Sequence, residues 1–212
     1  MSEEQDLEAL MKRDAELQAE FDKVYAAREA KARQEARLAR FMAVCDPEYQ
    51  ESDPAKIPNQ NALRKVLAWK PGPRGLFLTG PTRHGKTRSV WMLLRRIMLT
   101  TDLRVRAYNG VKWSVAVSNA FRETDQTEGF LERIVSTDIL LLDDLAKMGF
   151  TETQVRAIYG VIEERMANRK PTLITCNSTG KDLLNRLPPT WRGEDGESLL
   201  ARVRESSENI QF

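Results

Sequence analysis

The residues that could do chemistry begin with GPTRHGKT, positions 80–87. The spacing is that of a phosphate-binding loop, G-x-x-x-x-G-K-[ST]. Backbone N–H groups of such a loop point at phosphate oxygens, assisted by the positive end of the helix that follows. In that reading Gly80, Pro81, Thr82, Arg83, His84, Gly85, Lys86 and Thr87 form the cradle. Lys86 reaches the β- and γ-phosphates of ATP, and the Thr87 hydroxyl binds Mg²⁺. A second group of residues answers to the first: DILLLDDLAK, 138–147, is an apolar run ending in two adjacent carboxylates. Asp143 suits the metal, directly or through water, and Asp144 suits the polarisation of an attacking water. Paired acids after a strand also occur as a turn or helix start, but the loop some sixty residues upstream favours chemistry. A third run, PTLITCNST at 171–179, ends near Asn177, a neutral side chain able to orient that water without adding charge. Asn is also common in turns.

These side chains need a scaffold, and the chain supplies one in alternation. GLFLTG (75–80) reads as a buried strand leading into the loop. After Lys86 the residues Val90, Leu93, Leu94, Ile97 and Met98 share one helical face. Ile139–Leu142 reads as a strand buried on both faces, as parallel sheets require. Val155, Ile158, Tyr159, Ile162 and Met166 mark a helix before the strand at 171–179. Carboxylates at the C-terminal end of a strand lie where open α/β sheets bind ligands. The expectation is an α/β fold with a parallel sheet flanked by helices over residues 71–212. A linker and short helix occupy 45–70, where three prolines fall between Cys45 and Pro58.

Residues 1–44 have a different texture. From residue 2 to about 42 there is no Gly or Pro, and Leu7, Leu10, Met11, Leu17, Phe21, Val24 and Tyr25 recur at roughly helical spacing. Eight acids and two bases precede residue 23, and six bases and two acids follow up to residue 40, an order that suits the helix dipole. This predicts a long helical arm with a thin apolar stripe. A solvated helix packed on its own domain and an arm that docks a partner are both open readings.

Across the 212 residues, 33 Lys and Arg against 31 Asp and Glu leave a net charge of +2. The whole molecule has no general pull on nucleic acid or membrane. Any DNA contact needs a local patch, for which Arg95, Arg96, Arg104, Arg106 and Lys112 are the candidates and scattered solvated charge is the alternative. No apolar run approaches a membrane span, and the N-terminus is too acidic for a signal peptide, so a cytoplasmic protein is expected. Cys45 and Cys176 fit two reduced thiols better than a disulfide or a zinc site.

Taken in order and spacing, GPTRHGKTRSVW, LLLDDLAKMGFTETQVRAIYGVIEERM, KPTLITCNST and ESLLARVRE resemble the AAA+ ATPases of the DnaC and IstB type, especially the DnaC-like helicase loaders of phages and prophages. The resemblance covers about residues 45–212. It implies a P-loop NTPase fold of AAA+ type, with Asn177 similar to sensor 1 and Arg202 matching the arginine finger that reaches the ATP of a neighbouring subunit. It further implies an ATP-dependent homo-oligomer that places a ring-shaped replicative helicase on single-stranded DNA, sequence-nonspecifically, in the cytoplasm of a bacterial or phage-infected cell. In such proteins the N-terminal segment contacts the partner, which favours a docking role for residues 1–44. The IstB branch assists transposition instead. A non-hydrolysing ATP-responsive adaptor and a small-molecule kinase are further alternatives. Two departures bear on turnover: Asp144 is shorter than the usual glutamate, and Arg83 stands where glycine supplies a positive φ. The short stretch after Arg202 leaves no expectation of a large helical lid or a winged-helix DNA-binding domain.

Overall fold

The computed structural model describes residues 3–122, 124–147, 150–178 and 180–212, apart from the side chains of residues 3–7, 9, 15, 124–126 and 181. Leu7 of the apolar stripe, Met1 and Ser2 of the arm, and positions 148, 149 and 179 of the quoted motifs therefore lie outside the described residues. Two compact units are present, Met1–Arg40 and Phe41–Phe212.

The first unit is helical. It belongs to α1 (Glu3–Val44), within which Gln18 donates to Asp22 at 2.8 Å, Lys31 pairs with Glu35 at 4.0 Å, and the Phe21 and Tyr25 rings stack. Leu10, Met11, Leu17, Phe21, Val24 and Tyr25 are all exposed.

The second unit is a three-layer α/β structure. Its elements after α1 are α2 (Pro47–Gln50), α3 (Gln60–Ala68), β1 (Gly75–Thr79), α4 (Lys86–Thr100), β2 (Val105–Asn109), α5 (Gly110–Ala120), α6 (Thr124–Ser136), β3 (Ile139–Asp143), α7 (Glu152–Ala167), β4 (Thr172–Cys176), α8 (Gly180–Arg186), α9 (Glu194–Glu205) and β5 (Ser207–Gln211). The strands form one parallel sheet in the order β2-β3-β4-β1-β5. Successive side chains of a strand point to opposite faces, and each face has its own core. Leu76, Leu78, Ile139, Leu141 and Leu173 pack with Val90, Leu93, Leu94 and Ile97 of α4. Phe77, Leu140, Leu142, Ile174 and Cys176 pack with Trp113 of α5 and Val155, Ile158 and Ile162 of α7. Continuous apolar strands are the result of burial on both faces.

The predicted α/β scaffold is therefore present. Residues 45–70 contribute to it directly, since Cys45, Ile57, Ala62, Leu63 and Val66 are buried in the α4-side core. Cys45 and Cys176 are both free and buried. Burial, with Asp46 nearby, pushes the Cys45 thiol up to about 12, so it is protonated and inert at neutral pH. Among the described residues no group of three or more His, Cys, Asp or Glu side chains could hold a metal. None of their helices is long and apolar enough to cross a membrane.

Helical periodicity pointed to Met166 as a core residue of α7. Met166 is half-buried, and its neighbour Arg165 is fully buried. The Arg165 guanidinium donates to the carbonyls of Ile134, Val135, Thr137 and Pro171 at 2.6–3.1 Å and to Thr172 Oγ1 at 3.1 Å. Ile134 and Val135 lie in the last turn of α6, whose carbonyls have no partner within the helix. Arg165 thus ties the end of α6 to the starts of β3 and β4. Burial pulls it down to about 10, which still leaves it charged at pH 7. Replacing Arg165 with Met strands several buried carbonyls and is expected to lower the unfolding free energy by about 3 kcal/mol or more. Arg165→Lys recovers only part of this, because a point-like ammonium cannot reproduce the planar fork. Urea denaturation of the two variants checks it, and an unchanged midpoint in Arg165→Met would contradict the clamp.

Candidate functional site

The strand order creates the site. The chain leaves β1, crosses over through α4 to β2 at the far edge, and returns through β3 to β4, which lies between β3 and β1. The loop after β1 and the acids after β3 therefore face each other across the end of β4, at a switch point of the sheet.

The loop is built from strained backbone. Gly80 has φ 135° and Gly85 has φ 93°. A Cβ on Gly80 would come within 2.4 Å of Phe212 O, and one on Gly85 within 2.8 Å of the Ile57 side chain. Arg83 has φ 66°, a left-handed conformation that costs a non-glycine residue about 1 kcal/mol. No side chain caps the N-terminus of α4, which leaves its first N–H groups to a ligand. Lys86 folds back so that Nζ donates to Gly80 O at 2.8 Å and Pro81 O at 2.7 Å. Burial pulls its pKa down, while the nearby Asp144 carboxylate pulls it up. His84 Nδ1 lies 3.0 Å from Thr82 O, a bond made when that nitrogen carries the proton.

Across the gap, Asp143 Oδ1 accepts from Thr87 Oγ1 at 2.8 Å and from Thr175 Oγ1 at 2.6 Å. Burial raises the Asp143 pKa above the ordinary carboxylate value, against the two hydroxyl bonds that lower it. The Thr175 hydroxyl also accepts from Asp144 N at 2.8 Å. Asp144 has φ 54°. Its Oδ1 accepts from Asn177 Nδ2 at 2.7 Å, and its Oδ2 pairs with Lys147 Nζ at 2.7 Å.

The structure thus brings Lys86, Thr87, Asp143, Asp144 and Asn177 together. A cavity of about 450 Å³ opens beside them, lined by Thr82, Arg83, Gly85, Lys86, Thr87, Asp144 and Asn177 and, from elsewhere, by Glu48, Tyr49, Lys56, Ile57, Arg88 and Lys147. Five cations against two acids suit a polyanion. Thr87 and Asp143 suit Mg²⁺, a cation that takes one or two protein oxygens and completes its octahedron with water and phosphate. Tyr49 packs under the Arg88 guanidinium, 5.7 Å from the ring centre, and forms part of the rim.

Thr175, Lys147 and Tyr49 are among the residues here that were not singled out from sequence. Thr175 lies inside a buried strand, where a threonine reads only as a β-former. Lys147 follows the acids by one helical turn. Tyr49 lies in the proline-bearing stretch and gives no signal of its own.

Arg202 does not line the cavity of its own chain. It sits on α9, pairs with Glu163 of α7 at 2.5 Å and with Glu205 at 3.1 Å, and is partly exposed. The five basic candidates for DNA contact divide. Arg104, Arg106 and Lys112 line a groove along β2 together with Arg133, whereas Arg96 lies beside Trp69. Arg104 is paired with Asp138, Lys112 with Asp46, and Arg96 donates to Trp69 O at 3.3 Å.

No family model matches this chain, and no curated protein matches it in sequence. Solved structures do. A DnaC helicase loader is 22% identical, with 82% of this chain and 98% of that one covered and a TM-score of 0.59. DnaI is 20% identical, with 79% and 87% covered and a TM-score of 0.58. AMPPCP-bound DnaA from Aquifex aeolicus is 15% identical over 78% of this chain, with a TM-score of 0.59, and this chain spans half the length of that one. The likeness is one of fold: a five-stranded parallel sheet flanked by helices.

A raised pKa means that ionising Asp143 costs folding stability. The cost is present above the carboxyl's ordinary titration range and is relieved as pH falls through the raised folded value. Asp143→Asn keeps an oxygen for Thr87 and Thr175 and removes the buried charge. It is expected to raise the melting temperature of the nucleotide-free protein by a few degrees at neutral pH. The gain should shrink in acid, while Mg²⁺-dependent nucleotide binding is lost. Thermal scans across pH, paired with nucleotide titrations with and without Mg²⁺, check both halves.

Proposed function

We propose that this protein is an ATP-binding AAA+ ATPase that acts in DNA replication, placing a replicative helicase on single-stranded DNA. The observation that carries the reading is the convergence of Lys86, the Thr87–Asp143 bond and the Asp144–Asn177 bond at one cation-rich cavity on an AAA+ sheet. The likeness in fold to a DnaC helicase loader over nearly that protein's whole length supports the replication role.

The loop N–H groups and Lys86 hold the β- and γ-phosphates, in place of the Gly80 and Pro81 carbonyls that Lys86 now contacts. Thr87 and Asp143 hold Mg²⁺, which when bound offsets the phosphate charge. Asn177 and Asp144 orient a water, and Asp144 accepts its proton as the water oxygen bonds to the γ-phosphorus and the bond to ADP breaks. Thr175 fixes both acids through its hydroxyl. Arg202 serves the neighbouring subunit as the arginine finger, leaving Glu163 and Glu205 when copies assemble. Residues 1–44 dock the helicase through the exposed apolar stripe, by laying one helical face into a groove. The work is done in the cytoplasm of a bacterial or phage-infected cell.

A second reading, an ATP-responsive adaptor that does not hydrolyse, draws on the left-handed Arg83 and Asp144 and on the short acid at 144. Steady-state ATPase with and without single-stranded DNA decides between them.

Lys86→Ala is expected to lose Mg-ATP binding while remaining folded. Arg202→Ala is expected to bind ATP nearly as wild type and to lose turnover, an effect of up to ~10³-fold or more for arginine fingers. Mixing the two variants restores hydrolysis at interfaces where an intact Arg202 faces an intact Lys86. Normal hydrolysis by assembled Arg202→Ala removes the finger role and points to Arg204. Deleting residues 1–40, which spares the buried Phe41, is expected to leave nucleotide binding intact and to abolish co-purification with the helicase, and retained co-purification would refute the docking arm.

A further inference from the structure

We propose that Lys147 makes this site selective for a nucleoside triphosphate over a diphosphate, by neutralising Asp144 so that a terminal phosphate can lie beside that carboxylate. The inference rests on the reading of the cavity as an ATP site.

The argument is one of charge. A terminal phosphate held by Lys86 and Thr87 faces the ends of β3 and β4, where the carboxylates of Asp143 and Asp144 project. Asp143 has two hydroxyl donors and, in the ATP-site reading, would also have Mg²⁺ to offset it. Asp144 has one neutral donor, Asn177, and one ion pair among the described residues, with Lys147. The carboxylate is largely buried, with 16% of its side chain exposed, so solvent screens it poorly. The Lys147 side chain is 70% exposed and its ammonium also lines the cavity. It can therefore share its charge between Asp144 and an entering phosphate without leaving a packed position. Its pKa is raised, chiefly by the hydrogen bond and charge of Asp144. Without Lys147 the Asp144 charge stands bare toward the terminal phosphate. A diphosphate, which carries no group there, escapes the penalty.

Binding of a slowly hydrolysed ATP analogue and of ADP, each with Mg²⁺, is measured by calorimetry on the full chain. Lys147→Met is expected to weaken the triphosphate by about fivefold, the scale of a partly exposed pair, and to leave ADP within about twofold. Lys147→Arg restores the triphosphate. The double variant Lys147→Met with Asp144→Asn also recovers it, because the charge that Lys147 offset is gone. Equal weakening of both nucleotides, no weakening, or a double variant as weak as the single one would overturn the role. If wild type binds neither nucleotide, the ATP-site reading fails and the proposal with it. If wild type binds both and the variants do not discriminate, only the role of Lys147 is lost.

Discussion

The hydroxyl of Thr175 is the interaction on which the arrangement of the site depends. It donates to Asp143 Oδ1 and accepts from Asp144 N, so one oxygen on β4 sets the direction of one acid and the backbone of the next. The Asp144 backbone is left-handed, a conformation that persists in a non-glycine residue only when its surroundings hold it. Both acids are then fixed to the strand that lies between them and the phosphate loop. Because β4 pairs with β1 on its other side, through Thr79 opposite Cys176, the loop and the acids share one rigid reference. Any ligand that spans the two halves is measured against β4.

The phosphate loop and the carboxylate pair were legible because their chemistry requires fixed residue types at fixed spacing. Gly85-Lys86-Thr87 and Asp143-Asp144 announce themselves wherever a buried strand precedes them. Arg83 was legible for the same reason, since its position in the loop requires a positive φ whatever residue stands there. Thr175 was not. A threonine in an apolar strand reads as a β-former, and only strand order reveals that it lies between two acids. Arg165 was invisible for a different reason. Hydrophobic periodicity discounts charged residues, so the face of α7 was drawn through Met166, one position from the side chain that is fully buried. Arg202 came from resemblance alone, and within one chain its charge is met by Glu163 and Glu205.

The two ends of the sheet are held by opposite means. At the C-terminal ends of β1, β3 and β4, carboxylates, hydroxyls and a lysine make short contacts around a cavity, and Gly80, Arg83, Gly85 and Asp144 have positive φ. At the N-terminal ends of β3 and β4 the Arg165 guanidinium gathers carbonyls. Buried charge of the second kind fixes geometry more than it adds stability, since its desolvation offsets much of what the hydrogen bonds gain.

The pairing of β1 with β5 has a consequence for how the molecule is made. Gly75 of β1 lies opposite Ser207, and Phe212 N donates to Thr79 O directly before the phosphate loop. A ribosome working from the N-terminus delivers β1 and the loop long before it delivers β5. During that interval β1 has neither of its neighbours, because β4 is also late in the chain, and an unpaired apolar strand is a template for association with other chains. Sheet closure must therefore wait for residues near 212, and the contacts that shape Gly80 are among the last to form. Folding of the loop at residues 80–87 is in this sense a report on completed synthesis of the segment through β5.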